Sequence, residues 1–148
     1  ELAPLRARTR QCLERMDRIF DVIVPECSIR SSNPELPSLV SVSRRRIRPE
    51  HIDDYIQAVK TEIVPAMKKA EIRMSLLTRT VFGEPGPVYR RTTPVKSWAA
   101  MDEAEPLTAA MGGPAAMQKF VARLNPWILE TETQVYSHVP ELDYKVSV

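Results

Sequence analysis

The sequence is poor in the residues that build disulfide scaffolds, phosphate loops and membrane spans. It has four glycines and two cysteines among 148 residues. So few glycines exclude collagen-like and glycine-rich phosphate-loop designs, and two cysteines by themselves form neither a disulfide scaffold nor a four-ligand zinc site. No apolar run approaches the ~20 residues that a membrane-spanning helix requires, so we predict no membrane partner.

Charge of one sign is not in excess either. The net charge of +2 is too small to attract nucleic acid through a long-range field. Aromatic residues that could stack on RNA bases beside the basic groups are limited to Tyr89 and Tyr136. The two histidines, His51 and His138, are far apart and lack clustered carboxylates. We therefore predict no nucleic-acid partner and no metal site.

What is present is typical of a soluble globular chain about one domain long. Apolar residues make up 43% and charged residues 27% of the sequence, which excludes wholesale disorder. The first residue is Glu1 rather than Met, and the sequence around it reads as the middle of an element. We expect a processed or trimmed polypeptide, and we make no prediction of its localisation.

From residue 38 onward the patterns predict the order strand, helix, strand, strand, helices, strand. Period-2 alternation predicts strands at 38–47, 71–82, 88–95 and 131–139. The turn 83–86 predicts a hairpin between the middle two. A first helix is predicted from Pro49 through Met67, with a kink or a loosened turn near Thr61 because Pro65 interrupts the pattern. Shorter helices are predicted at 98–104 and 106–111, and another begins at Pro114.

This βαββαβ succession predicts an α+β fold of the ferredoxin-like kind. Such a fold has one antiparallel sheet with helices on a single face. The other face is left bare, and two such sheets packed face to face would cover each other. We therefore predict a homodimer, or a tandem duplication that does the same within one chain.

A short internal repeat divides the chain. The tetrapeptide 24–27 (VPEC) aligns with 139–142 (VPEL), and each follows a predicted helix and strand. We interpret residues 1–37 as the helix–strand tail of a preceding related repeat plus a linker, and residues 38–148 as a complete ferredoxin-like unit. Either the rest of the first repeat is missing from this chain, or the orphan helix and strand dock on the complete unit.

Several motifs connect the unit to a known superfamily. A strand leads into 48–50 (RPE), the first helix ends in 63–70 (IVPAMKKA), the hairpin is followed by 93–98 (TPVKSW), and the last strand by 140–144 (PELDY). With these motifs the chain resembles the dimeric α+β barrel superfamily, which includes antibiotic-biosynthesis monooxygenases and NIPSNAP-type proteins, and it is similar to uncharacterised bacterial members with tandem repeats. The resemblance implies sheets paired as a dimeric α+β barrel, and it identifies a fold better than an activity.

The resemblance does not extend to heme chemistry. Heme-degrading members resemble one another in an Asn on the first strand, a Trp after the third strand and a His on the next helix. Here Trp98 stands at the tryptophan position, but the first strand offers only Ser41 and Ser43, and no histidine lies between Trp98 and His138. We predict no heme and no other cofactor. Trp98 is interpreted either as a packing anchor at the mouth of the helical layer or as a ligand-binding residue.

The resemblance also implies an enzymatic alternative. Cofactor-independent monooxygenases of this fold combine a polar lumen with aromatic and histidine side chains. Tyr136 and His138 share a strand face by period 2, and such a pair could orient a phenol and accept its proton, which makes them the candidate catalytic residues. The alternative is that His138, two residues before Pro140, is half solvated and inert.

Arginines are concentrated in the predicted strands: Arg44, Arg45, Arg46, Arg73, Arg79, Arg90 and Arg91. Because a strand turns alternate side chains to opposite faces, we expect some of them between the paired sheets, where each needs a carboxylate such as Glu130 or Glu132, or a bound anion. One hypothesis is a pocket for a small anion built on Arg45, Arg79 and Arg91. The alternative is that the arginines pair with glutamates across strands or across the dimer interface.

Together these patterns predict a dimeric α+β barrel protein that binds a small molecule, in one hypothesis an anion, between the paired sheets. Tyr89 and Trp98 are further ligand-binding candidates. The alternative function is a cofactor-independent monooxygenase or a related small-molecule enzyme, and the residues do not decide whether the protein is an enzyme. Cys12 and Cys27 leave a disulfide open, and nothing in the sequence places a base beside either thiol.

Overall fold

A computed structural model describes residues 18–31, 37–101 and 106–139. Within these ranges lie five strands: β1 Phe20–Ile23, β2 Leu39–Ile47, β3 Leu76–Phe82, β4 Val88–Val95 and β5 Ile128–Ser137. Four α-helices accompany them: α1 Ile52–Ala58, α2 Val64–Lys69, α3 Pro106–Ala110 and α4 Pro114–Leu124. The helix predicted at the start of the 1–37 tail, which contains Cys12, and the repeat motif after Val139 lie outside the described residues.

The strands form one antiparallel sheet in the order β1-β3-β4-β2-β5. The last four of them, β2 to β5, have the order of the ferredoxin-like fold, with β2 between β4 and β5. This order follows because the helical connections after β2 and β4 return the chain across the same face of the sheet. The predicted α+β fold is confirmed. In the described part of the chain, no helix is long and apolar enough to cross a membrane.

The fifth strand, β1, extends the sheet beside β3. Beyond it the chain stays attached to β3, since the Val24 amide donates to the Leu77 carbonyl at 2.8 Å and the Ile29 amide donates to the Ser75 carbonyl at 2.7 Å. Cys27 between them is fully buried. The strand expected from a preceding repeat therefore docks on the complete unit. Its origin in a repeat stays a prediction.

The helix after β2 is built in three parts. A 3₁₀ turn at Pro49–His51 leads into α1, a π-helical turn at Val59–Ile63 follows, and α2 completes it. Pro65 lacks an N–H and its ring crowds the carbonyl four residues earlier, which belongs to Thr61, so the α-helical ladder cannot continue there. The predicted loosened turn near Thr61 is confirmed.

The end of α2 explains why β3 starts later than expected. Glu71 adopts a left-handed conformation with φ 54°. The amide of Glu71 donates to the Lys68 carbonyl at 3.1 Å and that of Ile72 donates to the Met67 carbonyl at 3.0 Å, which is a Schellman closure of the helix. The prediction of a strand from Glu71 is wrong for its first residues, because this backbone closes a helix and β3 begins at Leu76.

The predicted hairpin connects β3 to β4. Gly83 and Gly86 both have positive φ angles, of 101° and 79°. A Cβ atom at Gly83 would overlap the carbonyl oxygen of Arg18, so glycine is also needed for the close approach of the chain entering β1. At the other edge of the sheet, β5 begins at Ile128, three residues earlier than predicted, directly after a 3₁₀ turn at Asn125–Trp127.

The hydrophobic core lies between the helices and one face of the sheet. Tyr55 of α1 packs on Tyr89 of β4 with ring centroids 5.4 Å apart, and Leu77 of β3 is fully buried beside them. Phe120 and Leu124 of α4 complete the core. Among the described residues, no helix covers the opposite face, which we call the open face.

Candidate anion-binding site

The register of the sheet decides which arginines face the helices. Arg45 lies opposite Tyr89, and Arg91 lies opposite Ser43 on the neighbouring strand. Because Tyr89 packs on Tyr55, the side of the sheet that carries Arg45, Tyr89 and Arg91 is the helix side. The sequence prediction placed these residues between paired sheets, and that face is wrong. Arg45 and Arg91 are instead diagonal neighbours beneath the helical layer.

A cavity of about 550 Å³ lies between this part of the sheet and the helices. Arg45 and Arg91 line it from the sheet, together with Thr131 of β5. Most of the remaining wall is apolar and comes from the π-helical turn and from α3 and α4. It includes Val59, Ile63, Leu107, Met117, Phe120 and Leu124. The cavity is therefore a largely apolar space with two guanidinium groups on one side.

Arg91 is held in place by neutral acceptors. Its Nη1 donates to Ser75 Oγ at 3.1 Å and to Met67 Sδ at 3.7 Å, and its Nη2 donates to the Cys27 carbonyl at 3.3 Å. Ser75 is fully buried and also bonds Thr93 Oγ1 at 3.1 Å, which fixes its position. Burial lowers the pKa of Arg91, although a guanidinium still stays protonated at neutral pH. No carboxylate pairs with it in the described ranges.

Arg45 has even fewer partners than Arg91. Within the part of the chain that the structure describes, its side chain makes no hydrogen bond and no ion pair. Glu130 is the one acidic residue among the described residues of the cavity wall, and its carboxylate is bound on the open face to Arg44 and to Arg46, each at 3.2 Å. Two positive charges thus border one cavity without a carboxylate partner among the residues that the structure describes.

The arginines of the open face contrast with them. Arg44 bonds Glu84 at 2.8 Å and Glu130 at 3.2 Å. Burial lowers the pKa of Arg44, but hydrogen bonds to Glu130 and Glu84 outweigh that effect and the pKa is raised. Arg46 shares Glu130. We call these groups, with Arg90 and Asp21, the open-face network.

Arg90 completes the open-face network. It bonds Glu84, and its Nη1 bonds both carboxylate oxygens of Asp21 at 3.0 and 3.1 Å. Asp21 also accepts from the hydroxyls of Thr78 and Thr80. The alternative interpretation of the arginines, pairing with acidic residues across strands, therefore describes the open face. The hypothesis of an anion-binding pocket therefore applies only to the arginines on the helix side of the sheet.

Three further ligand-binding candidates do not line the cavity. Arg79 is exposed, on the same side of the sheet as Tyr89. Tyr89 is buried in the core, and burial raises its pKa. Trp98 is 61% exposed, so its interpretation as a packing anchor is wrong. Of the predicted ligand-binding residues, the cavity brings together Arg45 and Arg91.

The candidate catalytic pair lies elsewhere. Tyr136 pairs with Val40 in the register, which places it on the open face, where it is 50% exposed and donates a hydrogen bond to Gln134. The His138 amide donates to the Ser38 carbonyl at 2.8 Å just beyond the end of β5. Neither residue lines the cavity.

Metal and thiol chemistry find no support in the described residues. Across 18–31, 37–101 and 106–139, no group of three His, Cys, Asp or Glu side chains could hold a metal ion. Cys27 is a free, fully buried thiol whose pKa is raised by burial and by the nearby Glu26. A buried thiol with a raised pKa is a poor nucleophile.

Several polar groups of the cavity wall and of the open-face network were not identified from the sequence. Thr131 and Asn125 border the cavity, and Asp21 anchors the open-face network. A signal was present for Asp21, because a lone acid in the otherwise apolar strand 20–23 needs a cationic or hydroxyl partner. No comparable signal pointed to Asn125 or Thr131, since their positions depend on how α4 returns to the sheet.

Two solved structures are similar to this architecture. A NIPSNAP family protein from Agrobacterium tumefaciens superposes with a TM-score of 0.51 and 19% identity, over 69% of this chain and 93% of that one. The fold is NIPSNAP-like. A second protein from the same organism, Atu4242, superposes with a TM-score of 0.50 and 16% identity, over 69% of this chain and 94% of that one. No family model and no curated protein matches the sequence. At these identities the NIPSNAP-like likeness concerns the fold alone.

Proposed function

We propose that this protein binds a small anionic molecule in the cavity between the helices and the sheet, with Arg45 and Arg91 as the anion-binding groups. The observation that supports the proposal is the contrast between the two faces. Arg44, Arg46 and Arg90 on the open face all have carboxylate partners, whereas the two cavity arginines have none among the described residues. A half-buried guanidinium gains most from an anion that reaches it out of water.

Replacing Arg45 by Met is expected to weaken anion binding about tenfold, the loss of one charge-assisted contact. Isothermal titration calorimetry with acetate, octanoate, succinate and inorganic phosphate measures the effect. Arg45 is the better position than Arg91 because its side chain holds no other part of the described protein. Arg79→Met is the matched control, since Arg79 is a strand arginine outside the cavity wall. Binding that is absent for all four probes, or equal in Arg45→Met and the parent, would contradict the proposal.

We further propose that two copies of the chain pair through their open faces. The supporting observation is the mixture of groups on that face: Val40, Val42 and Leu76 lie toward one end, and the open-face network lies toward the other. Arg46 Nε is also buried without a hydrogen-bond partner within the described residues. An antiparallel sheet with one uncovered face and such apolar residues is suited to packing on a second sheet.

Replacing Val42 by Glu is expected to weaken this dimer about tenfold or more, because a carboxylate would be buried between two sheets. Size-exclusion chromatography with light scattering, over a range of protein concentrations, reports the mass. Val81→Glu introduces the same charge on the other side of the sheet, at a side chain that is already 55% exposed. A parent protein that is monomeric at every concentration, or equal dimerisation in both variants, would refute the pairing.

The alternative function, a cofactor-independent monooxygenase or related enzyme, gains no support from the site. It requires Tyr136 and His138 to converge on a bound substrate. Tyr136 instead bonds Gln134 on the open face, and neither residue borders the cavity. We therefore do not propose a reaction.

A further inference from the structure

We infer that the ligand of the cavity is an amphipathic monocarboxylic acid, whose carboxylate meets Arg45 and Arg91 and whose apolar body lies against α4. This inference rests on the anion binding proposed above and names the chemical class of the anion. It follows from how polarity, charge and space are distributed in the cavity wall.

Polarity is divided between the two sides of the cavity. The sheet supplies Arg45, Arg91 and the hydroxyl of Thr131. The facing helix α4 supplies apolar side chains, among them Met117 and Val121. A ligand that is charged throughout would bring polar groups against the apolar side chains of α4. A purely apolar ligand would leave both guanidinium groups without an anion. A molecule with one charged end satisfies both sides.

The charge of the wall favours a monoanion over a dianion. Arg91 already donates to three protein acceptors, which leaves two of the five N–H groups of a guanidinium. The carboxy-terminal end of α4, at Leu124, also borders the cavity, and the helix dipole gives that end negative partial charge. A second negative charge on the ligand would meet that end of the helix. A dianion is also far costlier to take out of water.

The geometry of the donors favours a carboxylate. Guanidinium groups bind planar carboxylates through two parallel hydrogen bonds, and Arg45 has its whole donor edge available within the described structure. Phosphate sites in proteins commonly use successive backbone N–H groups of glycine-rich loops or helix N-termini. None of the described residues that line this cavity is a glycine, and α4 lines it from Met117 to Leu124, beyond the first turn of the helix.

The size of the cavity allows a substantial apolar body. Its volume of about 550 Å³ lies in the range of pockets that enclose small organic ligands. Each methylene that moves from water to the apolar wall should raise the affinity about fourfold, until the wall is filled. Affinity should therefore depend on chain length, which separates this ligand class from a small hydrophilic anion.

Calorimetric titration of the full chain with butanoate, hexanoate and octanoate, all below micelle-forming concentrations, tests the inference. We expect the affinity to rise about fourfold per methylene and octanoate to bind at least tenfold more tightly than succinate, inorganic phosphate or 1-octanol. In Arg45→Met the preference for octanoate over 1-octanol should fall about tenfold. Val121→Asn, at a wall residue that is 42% exposed and thus tolerant of substitution, should reduce the gain per methylene, whereas Val81→Asn outside the wall should not.

The outcomes separate this inference from the proposed function. Phosphate or succinate binding that depends on Arg45, with no gain from butanoate to octanoate, would overturn the amphipathic ligand and leave anion binding standing. Octanoate and 1-octanol binding equally well, with no effect of Arg45→Met, would overturn both. Octanoate binding that depends on Arg45 but not on Val121 would show that the acyl chain of octanoate does not lie against α4. That result would also overturn the inference.

Discussion

Replacing Leu77 by Ala is expected to lower the free energy of unfolding by about 3 kcal/mol, the middle of the range for truncating a buried leucine. Leu77 of β3 is fully buried, and it lies beneath the segment that carries Cys27, which is also fully buried. Removing its branched end leaves a space that these neighbours cannot fill without moving. Equilibrium unfolding in urea at one fixed protein concentration measures the change.

Leu129→Ala provides the matched comparison for Leu77→Ala. Leu129 also lies in a strand, but its side chain is 48% exposed. The same truncation there should change the free energy of unfolding by no more than about 0.5 kcal/mol. Equal effects at Leu77 and Leu129 would show that the core does not lie on the helix side of the sheet as described.

The second large effect is expected in the open-face network. Glu84→Gln should lower the free energy of unfolding by about 2 kcal/mol, between the value of an exposed ion pair and that of a broken buried one. Glu84 binds both Arg44 and Arg90, and the three side chains are only 15–17% exposed. The substitution keeps the shape of the side chain but leaves two largely buried guanidinium groups with less negative charge nearby.

Glu132→Gln is the control for the network. Glu132 also lies on the open face, in β5, but it is exposed, and its carboxylate accepts a hydrogen bond from Gln134 at 2.7 Å. Its neutralisation should change the free energy of unfolding by less than about 0.5 kcal/mol. If urea unfolding showed the two variants to be equally stable, the arginines of the open face would not depend on Glu84.

The fold was predictable because its signals are local. Alternation in 38–47 and 88–95, helical spacing after Pro49 and the glycine turn at 83–86 each agree with the element that forms there. The prediction of a strand from Glu71 failed because the side-chain alternation there does not match the backbone conformation. Ile72 and Met74 alternate as in a strand. The left-handed backbone at Glu71, however, lets the amides of Glu71 and Ile72 bond back to α2 and end that helix. Such a closure without glycine leaves no clear mark in the sequence.

The candidate site was predictable only in part, because the sequence pattern separates the two faces of a strand but does not identify the face that the helices cover. Period 2 separates Arg45 from Arg44 and Arg46, but it does not say which face the helices cover. On β2 both faces are mixed, because Leu39 and Ile47 flank polar residues on one side while Val40 and Val42 lie on the other. Glu130 was predicted as a carboxylate partner and pairs with Arg44 and Arg46, but the pairing of Asp21 with Arg90 could not be predicted because the two residues are 69 apart in the chain.

The docking of residues 18–31 makes the ferredoxin-like unit dependent on what precedes it. A shortened polypeptide starting at Leu39 would keep β2 to β5, yet it would remove the Cys27 carbonyl that accepts from Arg91 and uncover the buried side chain of Leu77. The guanidinium beside the cavity would then lose part of its support. The part of the chain that keeps Leu77 buried and Arg91 bonded is therefore longer than the four-stranded ferredoxin-like topology alone.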